Sequence, residues 1–92
     1  MKFGLIDVGW LVEVRTRTEP WHDLILRPPD RADLPYILAI CYGLRRVDLV
    51  GWTMGSEGKR PEFWKQPNNR PPAYFVPQKH LQPMHALLLG GP

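Results

Sequence analysis

Between Leu11 and Leu26 the chain reads LVEVRTRTEPWHDLIL, and its first half alternates strictly. Trp10, Val12, Val14 and Thr16 fall on one side of an extended backbone and Leu11, Glu13, Arg15 and Arg17 on the other, because successive strand side chains point to opposite faces. One face is suited to a core, and the other carries an acid and a base two residues apart. The pattern predicts a strand, a kink at Glu19-Pro20, and a short apolar strand from Asp23 to Leu26 that Arg27-Pro28-Pro29 stops, since proline cannot continue a central ladder. Pro28 to Leu34 is turn chemistry, with one helical turn expected at Asp30 to Asp33. Tyr36 to Tyr42 (YILAICY) is the most apolar run, short and bounded by Pro35 and Gly43, which makes it the central strand. Leu44 to Trp52 alternates again, with Val47, Leu49 and Gly51 facing away from Arg46, Asp48 and Val50, and should pair with the central strand as a hairpin.

Upstream, Lys2 to Asp7 reads as a strand entering a turn at Gly9, so the first two strands should also form a hairpin. Its register has two readings. A three-residue loop of Gly9, Trp10 and Leu11 places Asp7 across from Glu13 with Cβ atoms about 5 Å apart, whereas a two-residue loop puts Asp7 on the opposite face. Downstream, Gly55 to Lys59 suits a helical turn, and Pro61 to Lys65 resembles a helix start with proline at its first position. Gln66 to Pro72 is turn-rich, Ala73 to Val76 is a last strand ended by Pro77, and Gln78 to Leu89 is helical in pieces interrupted at Pro83.

A chain of 92 residues with no internal repeat or linker is read as one domain, residues 1–92, with a modest core. The elements describe an α+β fold: a small mixed sheet of four or five strands with short helices on one side. A hydrophobic share of 43% places it among folded proteins, and 11 prolines argue against long helices. Cys41, the single cysteine, lies in the apolar run and reads as a buried core thiol in a reducing compartment. No stretch approaches the roughly 20 apolar residues of a membrane span, and MKFGLIDVGW has an acid at Asp7 where a signal peptide would be apolar. The expectation is a soluble cytoplasmic protein.

Several chemistries find no support. His22, His80 and His85 lack zinc-motif spacing, Ser56 lies in GSEG rather than in a strand-to-helix elbow, and the glycines are too scattered to cradle a phosphate. A formal charge of +3 favours a polyanionic partner, and Arg15, Arg17, Arg45, Arg46, Lys59, Arg60, Lys65 and Arg70 recur near aromatic residues, a combination suited to phosphates and unstacked bases, with the first six expected to contact phosphates. Trp10, Trp21, Trp52 and Trp64 are more large rings than so small a core needs, so a homodimer through the Trp52 to Trp64 segment is expected.

Asp7, the strand Val12-Glu13-Val14-Arg15-Thr16, and the apolar Leu24-Ile25-Leu26, Tyr36-Ile37-Leu38 and Val50-Gly51-Trp52 together resemble the small PD-(D/E)XK superfamily of nucleases, over roughly residues 5 to 83. The resemblance implies a restriction-endonuclease-like core and cleavage of DNA or RNA phosphodiesters. Asp7 and Glu13 would ligate Mg2+ or Mn2+, and Arg15 would stand where the family has its catalytic lysine. Hard oxygen ligands suit those ions, and the bound metal would polarise the phosphate and acidify a water. Arginine cannot lose its proton, so Arg15 could act as an electrostatic clamp but not as a base. The arginine, the short Asp7 to Glu13 spacing and the missing acidic helix before the first strand fit an N-terminally shortened or degenerate member. Two functions follow as expectations: a metal-dependent nuclease using Asp7, Glu13 and Arg15, or a noncatalytic nucleic-acid- or protein-binding module on the same scaffold.

Overall fold

The computed structural model describes residues 3–5 and 11–90, with side chains from 11 to 87. Strand β1 (Phe3–Leu5) pairs antiparallel with β2 (Leu11–Arg17), and β2 pairs in parallel with β4 (Pro35–Tyr42). Strand β4 then turns back antiparallel into β5 (Arg46–Met54), giving a mixed four-stranded sheet in the order β1-β2-β4-β5. The turn between β4 and β5 uses Gly43 at φ 67°, a left-handed backbone that glycine adopts without steric penalty.

The run YILAICY is the central strand, as its composition implies. From Pro35 to Ile40 every residue of β4 is buried, because both faces of the strand are covered. Tyr36, Leu38 and Ile40 pack with Leu24, Leu26, Phe63 and Val76. On the opposite face Ile37 packs with Val12, Trp52 and Leu87. Each such side chain contributes roughly 1.5–3 kcal/mol by leaving water.

A second sheet supplies the cover for the first of these clusters, where the sequence suggested a single sheet. Strand β3 (Leu24–Leu26) pairs antiparallel with β7 (Ala73–Val76), which pairs with β6 (Trp64–Lys65), in the order β3-β7-β6. The short apolar segments LIL and AYFV bury one face against β4 instead of extending its ladder. The second cluster is covered by α2 (Met84–Gly90), which follows a 3-10 turn at Gln78–His80. Gln82 also forms a bridge to β5: its amide donates to the Trp52 carbonyl at 2.8 Å and its carbonyl accepts from the Trp52 amide at 3.0 Å.

Several local expectations change. Glu13 stands opposite Phe3 in the β1–β2 ladder, so the register that set Asp7 against Glu13 is not the one formed; Asp7 and Trp10 themselves lie outside the described residues. Pro61–Phe63 is a 3-10 turn followed by strand rather than the start of an α-helix, and Asp30 to Asp33 forms non-helical turns. A bulge at Val50 lets Leu49 face Ala39 and Gly51 face Leu38, so Val50 joins the inter-sheet core and Gly51 no longer shares a face with Leu49. Trp52, expected at a surface patch with Trp64, is a core residue whose indole N–H donates to the Pro83 carbonyl at 3.1 Å. Cys41 is half-buried rather than buried. Among the described residues no helix is long and apolar enough to cross a membrane.

Helix α1 (Gly55–Gly58), anticipated from Gly55 to Lys59, ties this core to the loop 27–34. The Gly55 amide donates to the Leu34 carbonyl at 2.8 Å and the Ser56 amide to the Ala32 carbonyl at 2.9 Å. The approach is so close that a Cβ at Gly55 would lie 2.0 Å from the Arg31 carbonyl oxygen, a backbone atom that cannot swing aside. Gly55→Ala should therefore destabilise the fold by about 1–3 kcal/mol or more, read as a lower urea midpoint. A midpoint unchanged from the wild type would show that the loop yields freely.

Candidate nucleic-acid interface

The parallel pairing of β2 with β4 sets Glu13 beside Tyr36, Arg15 beside Leu38 and Arg17 beside Ile40. Partners in register share a face, so the charged side of β2 points toward the inter-sheet core and sits at its rim. This explains why Glu13, Arg15 and Arg17 are all half-buried. A charge in that position needs partners, because its water is partly removed.

Arg15 finds two. Its Nε donates to Glu13 Oε1 at 2.8 Å, and its Nη2 also donates to that oxygen. On the far side, Nη1 and Nη2 donate to Asp30 Oδ2 and Oδ1 at 3.0 and 2.9 Å, a bidentate pair. Planar guanidinium and planar carboxylate match in this arrangement, which is among the stronger charge-assisted contacts. The guanidinium carbon lies 5.1 Å from the centre of the buried Tyr36 ring, adding a cation–π contact. Burial alone would lower the Arg15 pKa, but the hydrogen bonds and negative charges of Asp30 and Glu13 outweigh it and raise the pKa.

Asp30 is the residue that sequence reading missed. It closes the turn after β3: its amide donates to the Arg27 carbonyl at 2.9 Å, and its Oδ2 accepts from the Arg27 amide at 2.7 Å. Lys59, just after α1, donates from Nζ to the Pro28 carbonyl at 2.7 Å and also to the Asp30 carbonyl, fixing the loop from below. Burial works to raise the Asp30 pKa, but Arg15, the Arg27 amide and the nearby charge of Lys59 overcome it, and the carboxyl is held below its ordinary value of 3.8. The only signal in the sequence was an acid closing the turn RPPD, a position that aspartate favours for local reasons alone.

Beyond Arg15 the charged face of β2 opens into a cleft of about 330 Å³ lined by Arg15, Thr16, Arg17, Ile25 and Arg27. Arg17 is anchored by donating from Nη1 to the Asp23 carbonyl at 2.6 Å. Burial lowers the Arg17 pKa, and the like charge of Arg70 adds to this against the attraction of Asp23; arginine nevertheless remains charged at neutral pH. Arg27, like Asp30, was not singled out by the sequence pattern, whereas Arg70 was among the cations noted near aromatic residues.

The other expected phosphate contacts do not gather here. Arg46 pairs with Asp48 and lies over the Tyr42 ring at 4.8 Å, near the β4–β5 turn that carries the exposed Arg45. Arg60 pairs with Glu57 at 2.7 Å, and Lys59 serves the Asp30 loop. Of the six cations named, Arg15 and Arg17 line the cleft.

The fit to Mg2+ or Mn2+ can be judged for Glu13, which has its carboxylate committed to Arg15. The one other carboxylate bonded to that guanidinium, Asp30, is held by it in the same way, so the position between the two acids is taken by an organic cation. Among the described residues no group of three or more His, Cys, Asp or Glu side chains could hold a metal ion; Asp7, the other expected ligand, lies outside them. No protein-family model matches the chain, and no curated protein or solved structure matches it.

The Asp30 interaction has a definite pH signature. A carboxyl whose folded pKa lies below its unfolded value contributes stability that is complete above about pH 4 and is lost as pH falls through the folded pKa. Asp30→Asn should cost about 1.5–3 kcal/mol at neutral pH, and it should lose less further stability than the wild type between pH 4 and pH 2. Chemical denaturation at a series of pH values measures both. Parallel stability curves for the two proteins would show that Asp30 is not held in this way.

Proposed function

We propose that the chain is a noncatalytic nucleic-acid-binding module that grips phosphates through the arginine cleft beside β2. The observation that carries this reading is the cleft itself, where Arg15, Arg17 and Arg27 converge around Ile25. Arginine suits the task because its fork of N–H groups matches phosphate oxygens and its charge does not titrate. Four of the five Arg15 N–H groups are taken by Glu13 and Asp30, so it acts chiefly as a strut, while Arg17 and Arg27 take the phosphates.

The resemblance to PD-(D/E)XK nucleases enters as the scaffold on which such a module would be built, with a restriction-endonuclease-like core. The mixed four-stranded sheet, with the Glu13-Val14-Arg15 strand near its centre, supports that relationship. In this reading the guanidinium stands in for the divalent cation: it neutralises the carboxylates of Glu13 and Asp30 but activates no water. Binding then needs neither Mg2+ nor Mn2+.

Titration of fluorescein-labelled DNA at rising salt tests the proposal. Two or three phosphates neutralised by Arg17, Arg27 and their neighbour Arg70 predict a slope of log affinity against log salt of about −2. Arg17→Gln should weaken binding and reduce the slope by about 1. EDTA should leave the affinity unchanged, and Mn2+ should produce no cleavage. Salt-insensitive binding would point to a protein partner, and cleavage with Mn2+ that Glu13→Gln abolishes would restore the nuclease reading.

A further inference from the structure

The charges around the cleft do not balance. Arg15, Arg17 and Arg27 line it, Arg70 acts on Arg17, and Lys59 acts on Asp30. Against these five cations stand three carboxylates, Glu13, Asp23 and Asp30, so these eight groups carry a net charge of +2. Like charges held together in a half-buried recess raise the free energy of the empty protein and lower that of a complex with an anion. A phosphodiester within a strand brings one negative charge; a phosphomonoester at its end brings about −1.5 to −2 near neutral pH. The cleft, about 330 Å³, is a concave recess large enough for one phosphate and its sugar.

An aromatic platform lies close by in the chain. Trp21 is 71% exposed, although such rings are usually sheltered in a folded domain. Its turn is firmly held: Gln78 Nε2 donates to the Pro20 carbonyl at 2.7 Å and to the His22 carbonyl at 2.8 Å, and the His22 amide donates to the Glu19 carbonyl at 3.0 Å. The next residue, Asp23, supplies the carbonyl that anchors Arg17, so the ring and the cleft arginine are joined through one short pinned segment. An exposed ring on a fixed turn is ready to stack against an unpaired base, and the ordering entropy of the turn has already been met by folding.

We propose that the cleft receives the terminal phosphate of a single-stranded nucleic acid, and that the terminal base stacks on Trp21. This rests on the nucleic-acid reading above and narrows it to strand ends. Ile25 gives the sugar an apolar contact, while Arg17 and Arg27 close on the phosphate oxygens. Arg15 stays with its two carboxylates and keeps the β2 wall in place.

The experiment uses the whole chain and short single-stranded DNA in three forms, carrying a 5′-phosphate, a 3′-phosphate or hydroxyls at both ends, together with a mononucleotide. Tryptophan fluorescence and anisotropy give the affinities, and circular dichroism checks that each variant is folded. One phosphorylated form should bind about tenfold more tightly than the hydroxyl form, as expected for additional charge-assisted hydrogen bonds. Arg27→Gln should remove that preference, and Trp21→Ala should remove the fluorescence quenching while keeping part of the preference. Equal affinity for all three strands, with a normal salt slope, would overturn the end-binding inference and leave the broader nucleic-acid reading intact. Binding of none of them would overturn both. A mononucleotide bound as tightly as a strand would replace the nucleic-acid partner with a small phosphate ligand.

Discussion

The Arg15 guanidinium joins two pieces of chain. On one side is Glu13, two residues away on the same strand face; on the other is Asp30, on a loop fifteen residues along. A guanidinium at the rim of the inter-sheet core has lost part of its hydration, and without Asp30 it would be a costly element of the fold. With Asp30 in place, four of the five guanidinium N–H groups are used, and the loop from Arg27 to Leu34 is fastened to β2. Helix α1 and Lys59 then fasten the same loop to β5, so the two sheets, the loop and the cleft share one anchor.

This anchor also decides what chemistry the charged face can perform. Two acids close enough to share a cation often hold a metal, and here the cation is a side chain. A guanidinium offers neither open coordination positions nor a bound water of lowered pKa, so what Arg15 itself contributes to the face is rigidity and positive charge. The arginines beyond it face a recess whose positive charge is only partly balanced, and that surplus is the basis of the anion binding proposed for it.

Much of this was legible in the residues. Period-two alternation placed Glu13 and Arg15 on one face of a strand, where they are found hydrogen bonded, and continuous apolarity marked Tyr36 to Tyr42 as the strand buried on both sides. Ala73–Val76 and the broken helical tail were set by flanking prolines. What was hidden was tertiary. Leu24–Leu26 and Ala73–Val76 are apolar and short, and such segments carry no mark of whether they extend one sheet or pack across it as a second. Asp30 looks like any turn aspartate until the fold sets it against Arg15. The exposure of the four tryptophans could not be read from their number: Trp52 is core, Trp64 is 42% exposed against Tyr74, and Trp21 stands clear on its turn.

The central claim is that Arg15 and Asp30 act as a unit that holds the β2 wall and the loop together. A double-mutant cycle in urea, using Arg15→Gln, Asp30→Asn and the pair, isolates that coupling from the separate effects of each change. The account predicts a coupling energy of at least about 1 kcal/mol at neutral pH, shrinking as pH falls below about 4. Effects that simply add, within about 0.5 kcal/mol, would contradict it.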